Sequence, residues 1–387
     1  MPYLLTEEHE EIRDLVRRLA RERVAPRAAE IDSTGEFPFD LQELLAQHDV
    51  LALPFAPEYG GTGTDTLSLL IAIEELSAAC ATTGLILAVQ ELGGLPIKLA
   101  GSEEQKKHWL RPLARGEILP AYCLTEPECG SDVAAMRTRA RRQGDSYVLS
   151  GVKRFITNAG VAAFYVVFAR TDPEGSRGIS AFIVEADRPG LSVPHIEHKM
   201  GIRGSQTGDV ELDDVHVPAK NLIGEEGEGF SLAMRVLDRS RPGIAAQALG
   251  IAQGALDYAV EYCSQRKAFN QPLLEFQGLE WMAADMAVEI QAARELLYSC
   301  AHALDDPHAR PEDVSRAAAM AKLKAAEVAM TVTTNAVQML GGYGYIQDYP
   351  VERMMRDAKI CQIYEGTSQI QKIVIGRSLR RRQAVPQ

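Results

Sequence analysis

Nothing in this chain of 387 residues marks it for a metal, a membrane or a nucleic acid. Its six cysteines stand apart at 80, 123, 129, 263, 300 and 361, and no pair has the spacing of a zinc site or a redox couple. Free thiols in a reducing cytoplasm are the expectation. The close histidines, His195 and His198 in PHIEHK, lack further ligands nearby and read as ordinary polar residues on a strand or loop. The longest uncharged run, SAACATTGLILAVQ, is too short and too polar to span a bilayer and reads as a buried core helix. The opening stretch, MPYLLTEEHEEIRDLVRRLARERV, lacks the basic-then-apolar layout of a signal peptide; Ile12, Leu15, Val16 and Leu19 fall on one helical face. A net charge of −12 opposes association with phosphate polymers and anionic surfaces. No GxGxxG run followed by an acid about twenty residues on is present, which argues against a nicotinamide-binding Rossmann unit.

What is present falls into three textures, with the changes placed at about 120 and 225. Residues 1–120 read as helical, with starts at Thr6 and at Ser102, each followed by acids that suit a helix N-terminus. Residues 121–225 carry SYVLSG, AFYVVFAR, ISAFIVEA and DVELDDVHV between turn signals such as QGDS and DRPG. They read as a small antiparallel β domain, with Val210, Leu212, Val215 and Val217 disposed around an acidic turn. Residues 226–387 return to long apolar-periodic, alanine-rich helices suited to a four-helix bundle. The fold class is thus multi-domain α+β.

One carboxylate stands out. In CQIYEGTSQIQ the single charge is Glu365. A short helix opening near Pro350 has Val351, Met354, Met355, Ala358 and Cys361 on its apolar face. A second opens at Ser368, with Gln371 at capping-box spacing and Ile370, Ile373 and Val374 inward. Glu365 therefore lies in the joint between them, beside Gly366, which admits unusual backbone angles or a close ligand. Apolar neighbours raise the pKa of such a group, while a helix N-terminus lowers it. Spacing alone favours a helix cap or an arginine partner over a general base. Gly130 and Ser131 in TEPECGSDVAAM precede a helical turn that could hold phosphate, but taken alone they read as an ordinary helix cap. GGYGY reads as a flexible loop and RKAF as a solvated charge pair.

Taken together, YCLTEPECGSD, KRFITNAG, GIRGSQTGDVELDDVHVP, RKAFNQPLLEFQ, NAVQMLGGYGY, YPVERMMRD and IYEGTSQIQ resemble the acyl-CoA dehydrogenase family of flavoproteins in order and spacing over almost the whole chain. The resemblance implies a helical, β and helical-bundle architecture. It also implies a reaction in which Glu365 removes the α-proton of an acyl-CoA thioester while the β-hydrogen leaves as hydride to flavin N5, giving a trans-2-enoyl-CoA. An FAD site is implied at Tyr122, Leu124, Thr125, Gly130, Ser131, Phe155, Ile156 and Thr157. A second set, Arg266, Phe269, Phe276, Gln277, Gln338, Gly341 and Gly342, would reach FAD held mainly by a neighbouring subunit, with Thr367 and Gln369 near its adenosine part. Substrate contacts are implied at Ser131, Asp238, Arg241, Tyr364, Gly366 and Arg377. The position used as base in another branch is Ser240 here, which cannot serve and so strengthens Glu365; the resemblance implies that Glu365 stands unpaired because it must face substrate. Electron-transfer flavoprotein as partner and a homotetramer are implied as well. Phe155 replaces a common tryptophan, Glu128 and Cys129 replace small residues, and Tyr343 replaces a polar one. An acyl-CoA oxidase on the same fold is a second reading and a DNA-associated flavoprotein a third; the acidic balance and Glu365 oppose the latter. Acyl length and branching are not legible.

Overall fold

The computed structural model describes residues 5–173 and 175–383. The chain begins with α1 (Glu7–Leu19), α2 (Ala28–Thr34), α3 (Phe39–Gln47), α4 (Thr66–Ala79), α5 (Ala81–Ala100) and α6 (Glu103–Ala114). Thr6 caps α1, and Ser102 forms a reciprocal capping box with Gln105 on α6, so the expected starts hold. The uncharged run around residue 80 is not one helix. Cys80 is extended, at φ −155° and ψ 113°, and separates α4 from α5.

The sheet comprises β1 (Pro120–Cys123), β2 (Arg139–Gln143), β3 (Ser146–Thr157), β4 (Phe164–Arg170), β5 (Ile179–Glu185), β6 (Leu191–Ser192), β7 (Thr207–Pro218) and β8 (Leu222–Ile223). The order is β6-β7-β3-β2-β4-β5-β8, with β1 beside β4. Pairing is antiparallel apart from β1 along β4 and the single pair Arg139–Arg170 joining β2 to β4. Phe164–Ala169 are buried without alternation because both faces are covered. Phe164, Val166 and Phe168 pack in one core with Leu92, Leu95 and Leu110 of α5 and α6, while Tyr165 and Val167 pack in another with Leu149, Val210 and Val215. The acidic DD is not a turn between strands. It lies inside β7, where Asp214 takes φ 50° and the register against β3 shifts, the signature of a bulge.

The last third contains α7 (Gly229–Gln265), the hairpin of β9 (Lys267–Ala268) and β10 (Gln271–Pro272), α8 (Gln277–Asp305), α9 (Pro311–Leu340), α10 (Pro350–Ala358) and α11 (Ser368–Gln383). GGYGY is a 3-10 turn rather than a flexible loop. The two helical parts share one core: Leu70 and Ile73 of α4 pack in the same cluster as Leu249 and Ala252 of α7, Cys300 of α8 and Ala325 of α9. Each fully buried Leu or Ile contributes roughly 1.5–3 kcal/mol. The α4–α7 approach needs glycine, because a Cβ at Gly250 would lie 2.2 Å from the Glu74 carbonyl oxygen. All six cysteines are buried and free. Among the described residues no metal-binding cluster exists, and no helix is long and apolar enough to cross a membrane.

Candidate active site

The joint between α10 and α11 is conformationally unusual. Glu365 has φ 52° and Gly366 φ 92°, two successive left-handed residues. For a glutamate this costs about 1–2 kcal/mol, and neighbours from three helices hold the turn. Gln371 Nε2 donates to the carbonyls of Gly366 at 2.8 Å and Glu365 at 3.3 Å, Lys322 Nζ donates to that of Gly366 at 2.7 Å, and Arg241 Nε reaches that of Glu365 at 3.4 Å. The expected cap shifts by one residue. Thr367 Oγ1 accepts the Ile370 N–H at 3.2 Å, while Ser368 Oγ is drawn away to Glu327 at 2.7 Å. Ile373 is 44% exposed rather than inward, because Gln371 takes the inner position.

The carboxyl group is not unpaired. Ser240 Oγ on α7 donates to Glu365 Oε2 at 2.6 Å, since an anion taken out of water needs a donor. Burial pushes the Glu365 carboxyl above the usual carboxylate range, against the opposing pull of Ser240, Arg241 and Lys322; the counterweight is a hydroxyl and two cations rather than the helix terminus. Tyr364 Oη donates to Gln247 Oε1, and Gln247 Nε2 in turn donates to the Ala81 carbonyl at 2.9 Å, which ties the joint to α5.

Glu365 opens on a cleft of about 200 Å³ whose apolar wall is Leu85, Val89 and Leu92 of α5 with Met234 and Leu237 of α7. The same cleft gathers Tyr122, Leu124, Thr125, Gly130, Ser131, Phe155, Ile156, Thr157, Arg241, Tyr364 and Gly366. Phe155, at φ 57°, lies inside the register shift of β3 between Lys153 and Ile156. The Phe155 ring is thereby turned outward, 58% exposed, with the Arg154 guanidinium 4.9 Å from its centroid. Clefts of about 680 and 1140 Å³ lie elsewhere, but neither contains a residue of this constellation.

Other sequence-selected residues lie apart. Asp238 is not on the cleft wall: its carboxylate accepts from Arg241 Nη1 at 2.7 Å and Ser315 Oγ at 3.0 Å, so it orients Arg241. Arg377 and Gln369 are exposed on α11, and Thr367 is spent on the cap. Arg266, Phe269, Phe276 and Gln277 lie in or beside the β9–β10 hairpin, and Gln338, Gly341 and Gly342 at the end of α9 and in the turn after it. There the Phe269 and Phe276 rings are 6.1 Å apart and Arg266 stands 5.3 Å over the Tyr343 ring. Phe269 is 91% exposed.

Three family descriptions match in sequence: "Acyl-CoA dehydrogenase, N-terminal domain" at residues 6–117, "middle domain" at 121–215 and "C-terminal domain" at 227–380. The chain belongs to the acyl-CoA dehydrogenase family. Members of that family are oxidoreductases. This chain is 52% identical over 377 residues to a short-chain-specific acyl-CoA dehydrogenase of Clostridium acetobutylicum, covering 97% of this chain and 98% of the relative. A solved chain described with the electron transferring flavoprotein of Acidaminococcus fermentans superposes at TM-score 0.96, with 46% identity over 98% of this chain and 100% of that one. A glutaryl-CoA dehydrogenase from Mycobacterium smegmatis, solved in complex with FADH2, superposes at 0.91 with 32% identity over 97% and 95% of the two chains.

Within this acyl-CoA dehydrogenase the reading from sequence passed over Ser240 as a partner, Gln247 and Lys322, and took Gln371 for a capping-box residue where it holds the turn. Ser240 had been set aside as unable to act as base, and nothing local links it to a residue 125 positions on. Ser240→Ala removes a donor that favours the ionised carboxyl. The acid limb of the substrate-driven reduction rate is therefore expected to move up by about one pH unit or less, with KM little changed. Stopped-flow reduction across pH checks this; an unmoved limb would show that the hydroxyl turns away when substrate binds.

Proposed function

We propose that this member of the family oxidises a short acyl-CoA thioester to its trans-2-enoyl-CoA, with Glu365 as the base. The observation that carries the reading is a strained, poorly solvated carboxyl with a raised pKa at the mouth of an apolar cleft. A base for a weakly acidic α C–H needs that combination. Gly366 lets the backbone lie close to the thioester, Arg241, held by Asp238, and Ser131 meet the pantetheine part, and Tyr364 closes the wall. Arg377 is assigned to the nucleotide end.

The residues suit a flavin. Tyr122 Oη is buried in the cleft with no partner among the described residues. Gly130 has no neighbouring atom within 4 Å of where a Cβ would stand, and Thr125, Ser131 and Thr157 line the same space as Leu124, Phe155 and Ile156. FAD, when bound, supplies the acceptor for the β-hydride. A cleft of about 200 Å³ is below the roughly 300–1,000 Å³ of whole-ligand pockets, so it suits one end of such a molecule. Exposed Arg266, Phe269, Gln277, Gln338, Gly341 and Gly342, with half-buried Phe276, are assigned to cofactor shared with a neighbouring copy in a homotetramer, with Gln369 and Thr367 toward the adenosine end. Electron-transfer flavoprotein is the proposed acceptor, the cytoplasm the proposed compartment, fatty-acid β-oxidation the proposed role, and 120 and 225 the proposed domain limits.

The holoenzyme mixed anaerobically with a ladder of straight and branched acyl-CoAs is expected to bleach fastest with short straight chains. Reoxidation is expected to be faster with the carrier flavoprotein than with air. No bleaching by any thioester would overturn the proposal, and fast reoxidation by air with no gain from the carrier would make the protein an oxidase.

A further inference from the structure

Lys322 is 0% exposed, in the middle of α9. A buried ammonium normally sits against a carboxylate, but among the described residues Lys322 forms no ion pair. Its hydrogen bond goes to the Gly366 carbonyl, 2.7 Å away. That carbonyl belongs to the second left-handed residue of the turn, the one directly after Glu365. The charged and titratable groups that face it are Cys361 from the turn after α10, Glu365 from the joint, Arg241 from α7 and Glu327 from α9 itself. Glu327 is engaged by Ser368 Oγ and Gln362 Nε2, and Arg241 by Asp238. The fold therefore retains a desolvated cation beside the strained turn, facing two acids: Glu327, held by two neutral donors, and Glu365, on which Arg241 also acts.

We propose that Lys322 is a positioning residue for the Glu365 carboxyl: it pins the Gly366 carbonyl, fixes the left-handed turn, and adds to Arg241 a second buried positive charge that favours the ionised base. The proposal rests on the reading of Glu365 as base. Burial pulls the Lys322 ammonium down to about 8, so this charge is present at neutral pH and is lost in mild alkali.

Holoenzyme variants are compared by anaerobic single-turnover flavin reduction across pH, and by infrared titration of the Glu365 carboxyl assigned by difference from Glu365→Gln. Lys322→Met, similar in length and uncharged, is expected to keep flavin and bind acyl-CoA but to reduce about tenfold or more slowly. Both the acid limb of the rate and the infrared titration are expected to rise, by about one pH unit or less. Lys322→Arg keeps the charge and is expected to bring the titration back toward wild type. A slower rate with the carboxyl titration unmoved would overturn the proposal, because loss of packing alone does not shift a carboxyl's titration. Wild-type behaviour in both would overturn it too. If Lys322→Met does not fold, Lys322→Arg carries the test. A guanidinium stays protonated, so an alkaline limb near the Lys322 value of about 8 is expected in the wild type and expected to vanish in this variant; its persistence would overturn the proposal. The two readings fail separately. Normal reduction by Glu365→Gln removes the base assignment and leaves the infrared shift to judge Lys322. An inactive Glu365→Gln beside a Lys322→Met that titrates like wild type removes only the positioning role.

Discussion

Replacing Glu365 by Gln is expected to leave a yellow protein that binds acyl-CoA and scarcely reduces its flavin. Gln keeps the volume and can still accept from Ser240 Oγ, so the turn and cleft persist while the proton acceptor is gone. Loss of a general base costs a factor of about 10² to 10⁴, and because abstraction starts the reaction the upper end is expected in single-turnover reduction. Near-normal reduction would show that another group takes the proton. The same variant carries a stability effect whose sign follows from the raised pKa of Glu365. Between the ordinary glutamate value and the raised one, the folded chain binds more protons than the unfolded chain, so stability falls as pH rises through that window. Gln removes this loss. The variant is expected to melt above wild type at neutral pH, with the gain fading in acid where Glu365 is protonated in both states. Equal melting temperatures at every pH would mean that the carboxyl is not held out of water.

Lys153→Met is expected to loosen the flavin side of the cleft and to cost about 3–5 kcal/mol, the usual penalty for leaving one half of a buried pair. Lys153 is 0% exposed and donates to Glu126 Oε1 at 2.8 Å and to the Leu124 carbonyl at 3.2 Å. Glu126 also accepts the N–H groups of Arg137 at 2.6 Å and Thr138 at 3.0 Å, and the Arg154 N–H donates to the Thr125 carbonyl at 2.9 Å. These bonds lock residues 124–126 to the strand that presents Phe155. Burial alone would raise the Glu126 carboxyl, but Lys153 and the N–H donors outweigh it and hold it low; Lys153 itself is pulled down by burial despite its partner. Without Lys153 the carboxylate is left with N–H donors only. The expected readouts are a lower melting temperature and flavin lost on dilution. The double variant Lys153→Met/Glu126→Gln, neutral and able to accept one of those two N–H groups through its single amide oxygen, is expected to recover part of both. A single variant as stable and as yellow as wild type would show that the pair does not hold the loop.

The position of Glu365 between two helices was legible from its sequence, because Pro350 and the apolar spacing of Val351, Met354 and Ala358 are local signals. Its left-handed backbone was not, since φ at a glutamate is imposed by Gln371, Lys322 and Arg241, contacts from elsewhere in the fold. Lys322 was hidden for the opposite reason: in AMAKLKAAE a lysine reads as solvated, and only the packing of α9 against the joint buries it. The three textures were visible because β-branched runs and alanine-rich periodicity differ over long windows. The DD bulge and the break at Cys80 were missed because each is a single-residue event inside an otherwise continuous pattern. Asp238 was selected by resemblance as a substrate contact; its geometry makes it the residue that aims Arg241.

The six buried cysteines allow parts of the protein to be timed. Cys123 lies in one core of the sheet, Cys129 in the other, and Cys80, Cys263, Cys300 and Cys361 in the core common to the helices. A thiol reagent added in excess can modify each only after the surrounding layer parts. Six labelling rates from one native sample would then give the opening frequency of sheet and bundle separately, with no substitution needed to install a probe.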